Sequence, residues 1–316
     1  MIRRQLGIRS LISACIWAAA LAALAQCSQL ATPEAHAKQV LDEIEQTRLA
    51  VDRFARNGVQ PCASPGCIFV AVWDFDGTIL DGDLTEGLTR NGQTLYAGLQ
   101  EELIGRGLSP RYAGPGAFER YRRDYLALEN RAGYATAYGF TAQTFAGARV
   151  QDIASAGDQV RHRFPPHFFA SSIAILRALE SRGVHNYIIS ASPDFFVKRM
   201  ATALALPPER VLGIALESRG DRYTDRIVPP IHWGPGKVQR IQMIVEQERA
   251  AAGAKEIFVL AAFGNSPHTD GPMLSWVRNQ TLPARHAISV MINGDLGPRI
   301  PGVLYVSQSA TLGQSP

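Results

Sequence analysis

Five stretches of the chain are continuously apolar or rich in β-branched residues, and helical patterns alternate with them. The stretches lie at Cys67–Trp73, 187–190, 211–216, 257–263 and 287–292. Runs of this kind are typical of strands that are buried on both faces of a parallel sheet. Apolar residues at helical spacing predict helices over 172–182, 193–206 and 237–252. The alternation predicts an α/β fold built on a doubly wound parallel sheet.

Residues 83–167 interrupt this alternation directly after the first strand. They are rich in aromatic residues and arginine, helix-like in stretches, and poor in β-branched runs. Ligands of such sheets bind at the carboxyl edge of the strands, where this insertion begins. The pattern therefore predicts a catalytic core over 61–82 and 168–316 with a helical cap over 83–167. Apolar residues at helical spacing also predict an N-terminal helix within 38–60.

The first residues have the pattern of a signal peptide. Two arginines precede the apolar run 11–25, which is shorter than a typical transmembrane helix. We expect export to the periplasm or secretion, with residues 1–37 removed by cleavage after Ala37 and no transmembrane span in the mature protein. Cleavage after Ala25 also satisfies the small-residue rule. A lipid anchor on Cys27 is the alternative outcome.

The cysteines support the later cleavage site. Cleavage after Ala37 leaves only Cys62 and Cys67, an even pair. An oxidising compartment makes a disulfide between them the expected state. A metal site is the weaker reading, because the pair has no partner His or Cys nearby in sequence.

Length and charge limit the classes of function. A chain of 316 residues, 46% of them hydrophobic, can bury a large core together with an accessory domain. The formal net charge is only +4, and the basic residues do not form runs. This composition gives no support to nucleic-acid binding.

Two carboxylates follow the first apolar run directly. Asp74 and Asp76 flank Phe75 in the pentapeptide DFDGT, at the point where a buried strand must turn. Carboxylate oxygens are ligands that Mg²⁺ prefers, and a carboxylate beside a bound phosphate can attack phosphorus.

Groups suited to phosphate follow two later elements. Ser190 ends the second strand, and its hydroxyl together with the Ala191 amide could hold phosphate oxygens. Ser192 is its closest rival for this role. Lys237 opens a helix, where an ammonium group could act in catalysis by neutralising the phosphoryl oxygens and the attacking carboxylate.

A fourth set of polar groups follows the strand predicted at 257–263. The segment GNSPHTD over 264–270 offers the amide of Asn265 and the carboxylate of Asp270 as further oxygen ligands for a metal.

These four sets of residues, taken in the order of the chain, resemble the four motifs of the haloacid dehalogenase superfamily. Their layout is most similar to the phosphoserine-phosphatase and phosphorylcholine-phosphatase branch of that superfamily. The resemblance implies Asp74 as nucleophile and Asp76 as general acid and base. It implies Ser190, Ala191 and Lys237 as the phosphate-binding groups. Mg²⁺ is the implied cofactor, held by Asp74, Asp76, Asn265 and Asp270, and a small phosphorylated molecule is the implied substrate.

Two features separate this chain from other members of the superfamily. Dehalogenases lack the second acid, so Asp76 argues against carbon–halogen chemistry. Phosphonate hydrolases need a lysine in the cap, and residues 84–167 contain none.

Asn265 stands where the family usually has Asp, which predicts weaker metal binding. A phosphotransferase, or a non-catalytic binding protein of the envelope, remains as an alternative.

Overall fold

The computed structural model describes residues 32–56, 67–253, 256–283, 285–294 and 298–308. Most of the predicted signal segment lies outside these residues, and so do Cys27 and Cys62. Signal cleavage, the lipid anchor and the disulfide between Cys62 and Cys67 therefore stay predictions.

A six-stranded sheet forms the centre of the molecule, and every neighbouring pair in it is parallel. In spatial order the strands are β12 (Leu304–Val306), β11 (Ile288–Ile292), β8 (Glu256–Gly264), β1 (Cys67–Trp73), β4 (Val184–Pro193) and β5 (Val211–Ile214). The first strand in sequence thus lies between β4 and β8. This confirms the predicted doubly wound α/β fold and brings the ends of three strands to one place.

Helices surround the sheet and form most of the insertion. They are α1 (Pro33–Arg56), α2 (Leu99–Gly105), α3 (Ala117–Ala132), α4 (Tyr134–Gln143), α5 (Val150–Arg163), α6 (Ala170–Ser181), α7 (Asp194–Met200), α8 (Pro235–Ala252) and α9 (Gly271–Arg278). Helix α1 contacts α6, β8 and β11, and its Val40, Ile44 and Val51 are buried. It is therefore part of the core of the protein and not a separate appendage.

The insertion contains strands as well as the predicted helices. A short antiparallel hairpin of β2 (Gly87–Arg90) and β3 (Gln93–Ala97) precedes α2. A second hairpin, of β6 (Leu216–Arg219) and β7 (Arg222–Ile227), follows β5 and docks against the insertion. There the Gly147 amide donates to the Tyr223 carbonyl at 2.8 Å, and the Tyr223 amide donates to the Ala148 carbonyl at 3.0 Å. The core thus holds the cap through backbone hydrogen bonds.

Several element boundaries differ from the sequence prediction. The strand predicted at 211–216 is two strands, because the chain leaves the main sheet after Ile214 to form the second hairpin. The helix predicted at 193–206 ends at Met200 and continues as a 3-10 turn. Helix α1 begins at Pro33, so the predicted cleavage after Ala37 falls inside it.

No helix among the described residues combines the length and the apolar character that crossing a membrane requires.

Candidate active site

The site begins where β1 ends. The backbone N–H of Asp74 donates to the Phe263 carbonyl of β8 at 2.8 Å. The Trp73 ring stacks on that of Phe263 with centroids 3.6 Å apart, and its indole N–H donates to the Asn186 side chain of β4 at 2.8 Å. All of these side chains except that of Asp74 are fully buried. The three central strands are therefore fixed to one another just before the first aspartate.

Lys237 links two carboxylates at this edge. Its Nζ lies 2.6 Å from Oδ1 of Asp74 and 2.6 Å from Oδ1 of Asp270. The lysine and Asp270 are completely buried, and Asp74 is 4% exposed. A buried ammonium of this kind is stable only with carboxylate partners, since ions are costly to remove from water. The sequence prediction that Lys237 neutralises the nucleophile agrees with this placement.

Asp270 differs in position from the other proposed metal ligands. Its Oδ1 accepts from Lys237, and its Oδ2 accepts from the backbone amides of Asn265 at 2.9 Å and Ser266 at 3.0 Å. Unlike Asp74, Asp76 and Asn265, Asp270 is fully buried and does not line the cavity at this edge. Its role as a metal ligand stays a prediction, whereas its contacts are those of a group that positions Lys237 and the Asn265 loop.

Asp76 is held by neutral hydrogen-bond donors. Its Oδ1 accepts from the Leu84 amide at 2.7 Å. Its Oδ2 accepts from the hydroxyls of Ser190 at 3.1 Å and Ser192 at 2.7 Å. The two aspartates of the pentapeptide thus occupy different environments, one paired with an ammonium and the other with amide and hydroxyl groups.

A cavity of about 200 Å³ opens at this point. Its lining includes Asp74, Asp76, Ala191, Ser192 and Asn265. Ser190 and Lys237 are fully buried behind this surface and contact Asp76 and Asp74, respectively. Of the predicted phosphate-binding groups, Ala191 faces the cavity, and the rival Ser192 does so in place of Ser190.

Asn265 and Gly77 are in close contact at the cavity. Gly77 has a φ of +68°, and a Cβ at this position would lie 2.0 Å from the Asn265 Nδ2. Any larger residue would displace the Asn265 side chain from the cavity wall. The glycine of the DFDGT pentapeptide is therefore required by this approach as well as by its backbone conformation.

The residues around the cavity fit a magnesium ion. Among the described residues, no three His, Cys, Asp or Glu side chains form a group that could hold a metal. The side chains of Asp74, Asp76 and Asn265 nevertheless line one cavity, and each carries an oxygen that could bind the ion. Mg²⁺ is usually bound by one or two carboxylates together with water and substrate phosphate, so this all-oxygen set is sufficient.

Burial and charge change the pKa values of the Asp74–Lys237 pair. Burial, with the nearby charge of Asp270, raises the pKa of Asp74 to about 7, although Lys237 acts in the opposite direction. Burial lowers the pKa of Lys237, but the Asp270 and Asp74 carboxylates outweigh it and raise this pKa overall. The lysine is therefore an ammonium, and a further cation at the cavity would favour ionised Asp74.

Asp76 has the properties of a proton donor. Burial raises its pKa well above the usual range, and the charges of Asp83 and Asp74 act in the same direction. A raised pKa favours the protonated form of this carboxyl group, which is the form that a general acid needs.

Three contacts at the site were not assigned from the sequence. The Thr78 hydroxyl donates to Oδ2 of Asp74 at 3.1 Å. Ser192 and the Leu84 amide hold Asp76, as described above. Thr78 belongs to the pentapeptide itself, so the sequence signal was present. The Leu84 amide contributes through the backbone and has no signal in a side-chain pattern.

The chain belongs to the haloacid dehalogenase-like hydrolases, whose family profile matches residues 71–275, well over half of the protein. It is therefore a hydrolase of this superfamily, as the motifs indicated. No curated protein sequence matches the chain.

Solved structures with similar folds come from several sources. A protein of unknown function from Bordetella pertussis Tohama I is 18% identical with a TM-score of 0.55, and the match covers 76% of this chain and 98% of that one. A functionally unknown protein from Anaerococcus prevotii DSM 20548 is 14% identical with a TM-score of 0.51, covering 84% and 94%. A phosphoserine phosphatase, as a phospho-aspartyl intermediate analogue, is 14% identical with a TM-score of 0.40, covering 71% and 85%. The first two matches describe a shared fold alone and leave the substrate open.

Proposed function

We propose that this chain is an exported, Mg²⁺-dependent phosphatase that hydrolyses small phosphate monoesters through an aspartyl-phosphate on Asp74. The observation that carries the proposal is the contrast between two aspartates on one cavity. Asp74 is paired with a buried ammonium, whereas Asp76 accepts only neutral donors and has a strongly raised pKa. One is suited to attack as a carboxylate, and the other to give a proton.

In the first step a carboxylate oxygen of Asp74 forms a bond to phosphorus while the ester P–O bond breaks. The departing alkoxide takes the proton of Asp76 and leaves as an alcohol. In the second step Asp76 accepts a proton from water, and the resulting hydroxide attacks the phosphoryl group. Inorganic phosphate is released, and the carboxylate of Asp74 is regenerated.

The remaining groups around the cavity orient the substrate and neutralise the charge of its phosphate. Lys237, fixed by Asp270, keeps positive charge beside the attacking carboxylate as negative charge develops on the phosphoryl oxygens. The Ala191 amide and the Ser192 hydroxyl are available at the cavity for phosphate oxygens. Mg²⁺, which Asp74, Asp76 and Asn265 would hold, would neutralise charge on the phosphoryl group as a Lewis acid.

Release of p-nitrophenolate from p-nitrophenyl phosphate tests this reaction. The purified protein should hydrolyse it with Mg²⁺ and lose activity after treatment with a chelator. Asp74→Asn should be inactive, whereas the control Asp42→Asn, at an exposed ion pair on α1, should keep wild-type activity. Wild-type activity in Asp74→Asn would overturn the proposal.

Export is supported by the basic and apolar pattern before residue 26, and the expected location is the periplasm or the exterior. A disulfide between Cys62 and Cys67 belongs to the same proposal. Cell fractionation combined with N-terminal sequencing would locate the protein and its cleavage site. Thiol titration of the unreduced, denatured protein should find neither cysteine free. Retention of residues 1–25 in the located protein, or two free thiols, would contradict these expectations.

A further inference from the structure

A second cavity, of about 360 Å³, lies under the cap. It shares Asp83, Tyr138 and Ala191 with the lining of the reactive cavity, so the two cavities are adjacent. An ester whose phosphate lies beside Asp74 would extend its alcohol part into this space. The cavity could hold a leaving group much larger than methanol or ethanol, and its walls are therefore in a position to select substrates.

Carboxylates predominate among the charged groups of these walls. Asp83, Glu86 and Glu101 contribute three carboxylates, against one guanidinium from Arg122. The charge of Asp83, together with burial, raises the pKa of Glu86, which reflects the concentration of negative charge here. An anionic leaving group would be repelled from this cavity, whereas a group that donates hydrogen bonds would be stabilised.

Gln100, at the second position of α2, adds a neutral acceptor to the same wall. It is 1% exposed and lines the cavity. Its Nε2 donates to the Thr141 carbonyl at 3.4 Å, while its Oε1 has no hydrogen-bond partner among the described residues. A buried acceptor left without a donor costs about 1–3 kcal/mol, and a ligand that supplies the donor recovers this cost.

We infer that Gln100, in the wall of the cap cavity, selects leaving groups that carry a hydrogen-bond donor. The inference rests on the proposed phosphatase activity and defines its substrate class. The donor can be a neutral hydroxyl or a protonated amine, since Gln100 accepts from either, and the neighbouring carboxylates add attraction for the amine.

Four alkyl phosphates of similar length distinguish the effect of a hydrogen-bond donor on the leaving group from the effect of a positive charge. The 2-aminoethyl ester carries a cationic donor, the 2-hydroxyethyl ester a neutral donor, the 2-(trimethylammonio)ethyl ester a cation without a donor, and the propyl ester neither. Wild-type kcat/KM should be about tenfold higher for both donor-bearing esters than for propyl phosphate, the value of one recovered hydrogen bond. The trimethylammonio ester should be a poorer substrate than the aminoethyl ester.

Gln100→Leu removes the acceptor at nearly constant volume. The ratio of kcat/KM for hydroxyethyl over propyl phosphate should fall about tenfold, towards one, in this variant. Gln143→Leu is the matched control, because this cap glutamine contacts the Asp225 carbonyl outside the cavity and should keep the wild-type ratio. If Gln100→Leu does not fold, the same ratio measured in Gln100→Met decides the inference, because methionine has a similar length and lacks the amide acceptor.

Distinct results would overturn this inference and the function on which it rests. Equal wild-type kcat/KM for the hydroxyethyl and propyl esters would overturn the role of Gln100. A trimethylammonio ester as good as the aminoethyl ester, with both far better than the hydroxyethyl ester, would mean that charge alone selects. Failure to hydrolyse any of the four esters or p-nitrophenyl phosphate would overturn the phosphatase proposal, and this inference with it.

Discussion

Lys237 and Asp74 form a buried ion pair with Nζ 2.6 Å from Oδ1, although 163 positions separate them in the sequence. The lysine lies in the first turn of α8, and the aspartate directly follows β1. The pair therefore forms only when the sheet and this helix are assembled. Formation of the reactive centre is therefore tied to completion of the fold.

Replacing Lys237 with Met should reduce both stability and activity. Two buried carboxylates would lose their counter-ion, which typically costs about 3–5 kcal/mol. Urea unfolding should detect this loss, and kcat for p-nitrophenyl phosphate should fall by at least about 100-fold. Lys198→Met is the control, because Lys198 forms an exposed pair with Asp194 and should change stability by less than about 1 kcal/mol. Similar effects of the two substitutions would contradict the assigned role of Lys237.

Substitution of Asp270 distinguishes positioning from metal binding. If Asp270 acts by orienting Lys237 and the Asn265 loop, Asp270→Asn should lower kcat by about 10- to 100-fold and leave the Mg²⁺ concentration for half-maximal activity nearly unchanged. Titration of activity with Mg²⁺ gives both quantities. A large rise in the required Mg²⁺ concentration at constant kcat would instead make Asp270 a metal ligand, as the sequence suggested.

Asn265→Asp should lower the Mg²⁺ concentration needed for activity. The substitution places a charged oxygen on the cavity wall, where hard cations prefer carboxylate ligands. We expect a decrease of about tenfold in the half-saturating concentration. The same titration with Asn279→Asp, in which the changed residue follows α9 away from the cavity, should match the wild type. An increased metal requirement in Asn265→Asp would place this side chain outside the metal's coordination shell.

The pH dependence of activity should respond to Mg²⁺. The pKa of Asp74 is raised to about 7, so its attacking carboxylate is lost as the pH falls below this value. A bound cation favours the ionised form and therefore lowers the apparent pKa. The acidic limb of kcat/KM should shift to lower pH as the Mg²⁺ concentration rises. A limb whose midpoint stays constant from limiting to saturating Mg²⁺ would show that another group controls it.

The central sheet could be predicted because its strands are continuously apolar. Strand β1 has the bounds predicted for it, and four further strands were located to within a few residues. The hairpins were missed for a physical reason, and besides the two described above they include β9 (Thr281–Leu282) with β10 (Arg285–His286). Strands such as β7, with the sequence RYTDRI, are half exposed and mostly polar, and their stability comes from the surfaces on which they dock.

The positions of the site residues could be predicted more readily than their contacts. Strand ends meet at one edge of a parallel sheet, so Asp74, Ser190 and Asn265 were expected to lie together. Which serine faces the cavity depends on the bulge in the pairing of β4 with β5, and this geometry cannot be read from the sequence of residues 190–192. The unpartnered oxygen of Gln100 likewise depends on the packing of the cap.

Rapid mixing of the Asp76→Asn protein with p-nitrophenyl phosphate tests the central claim, covalent transfer to Asp74, most directly. Nitrophenolate leaves without protonation, so the first step should proceed, whereas the second step lacks its base. We predict a rapid burst of about one equivalent of nitrophenolate, followed by a stalled protein that carries phosphate on Asp74. The same variant should hydrolyse an alkyl phosphate about 10²–10⁴-fold more slowly than the wild type does. Equal losses with both substrates, no burst and no phosphorylated Asp74 would contradict the account.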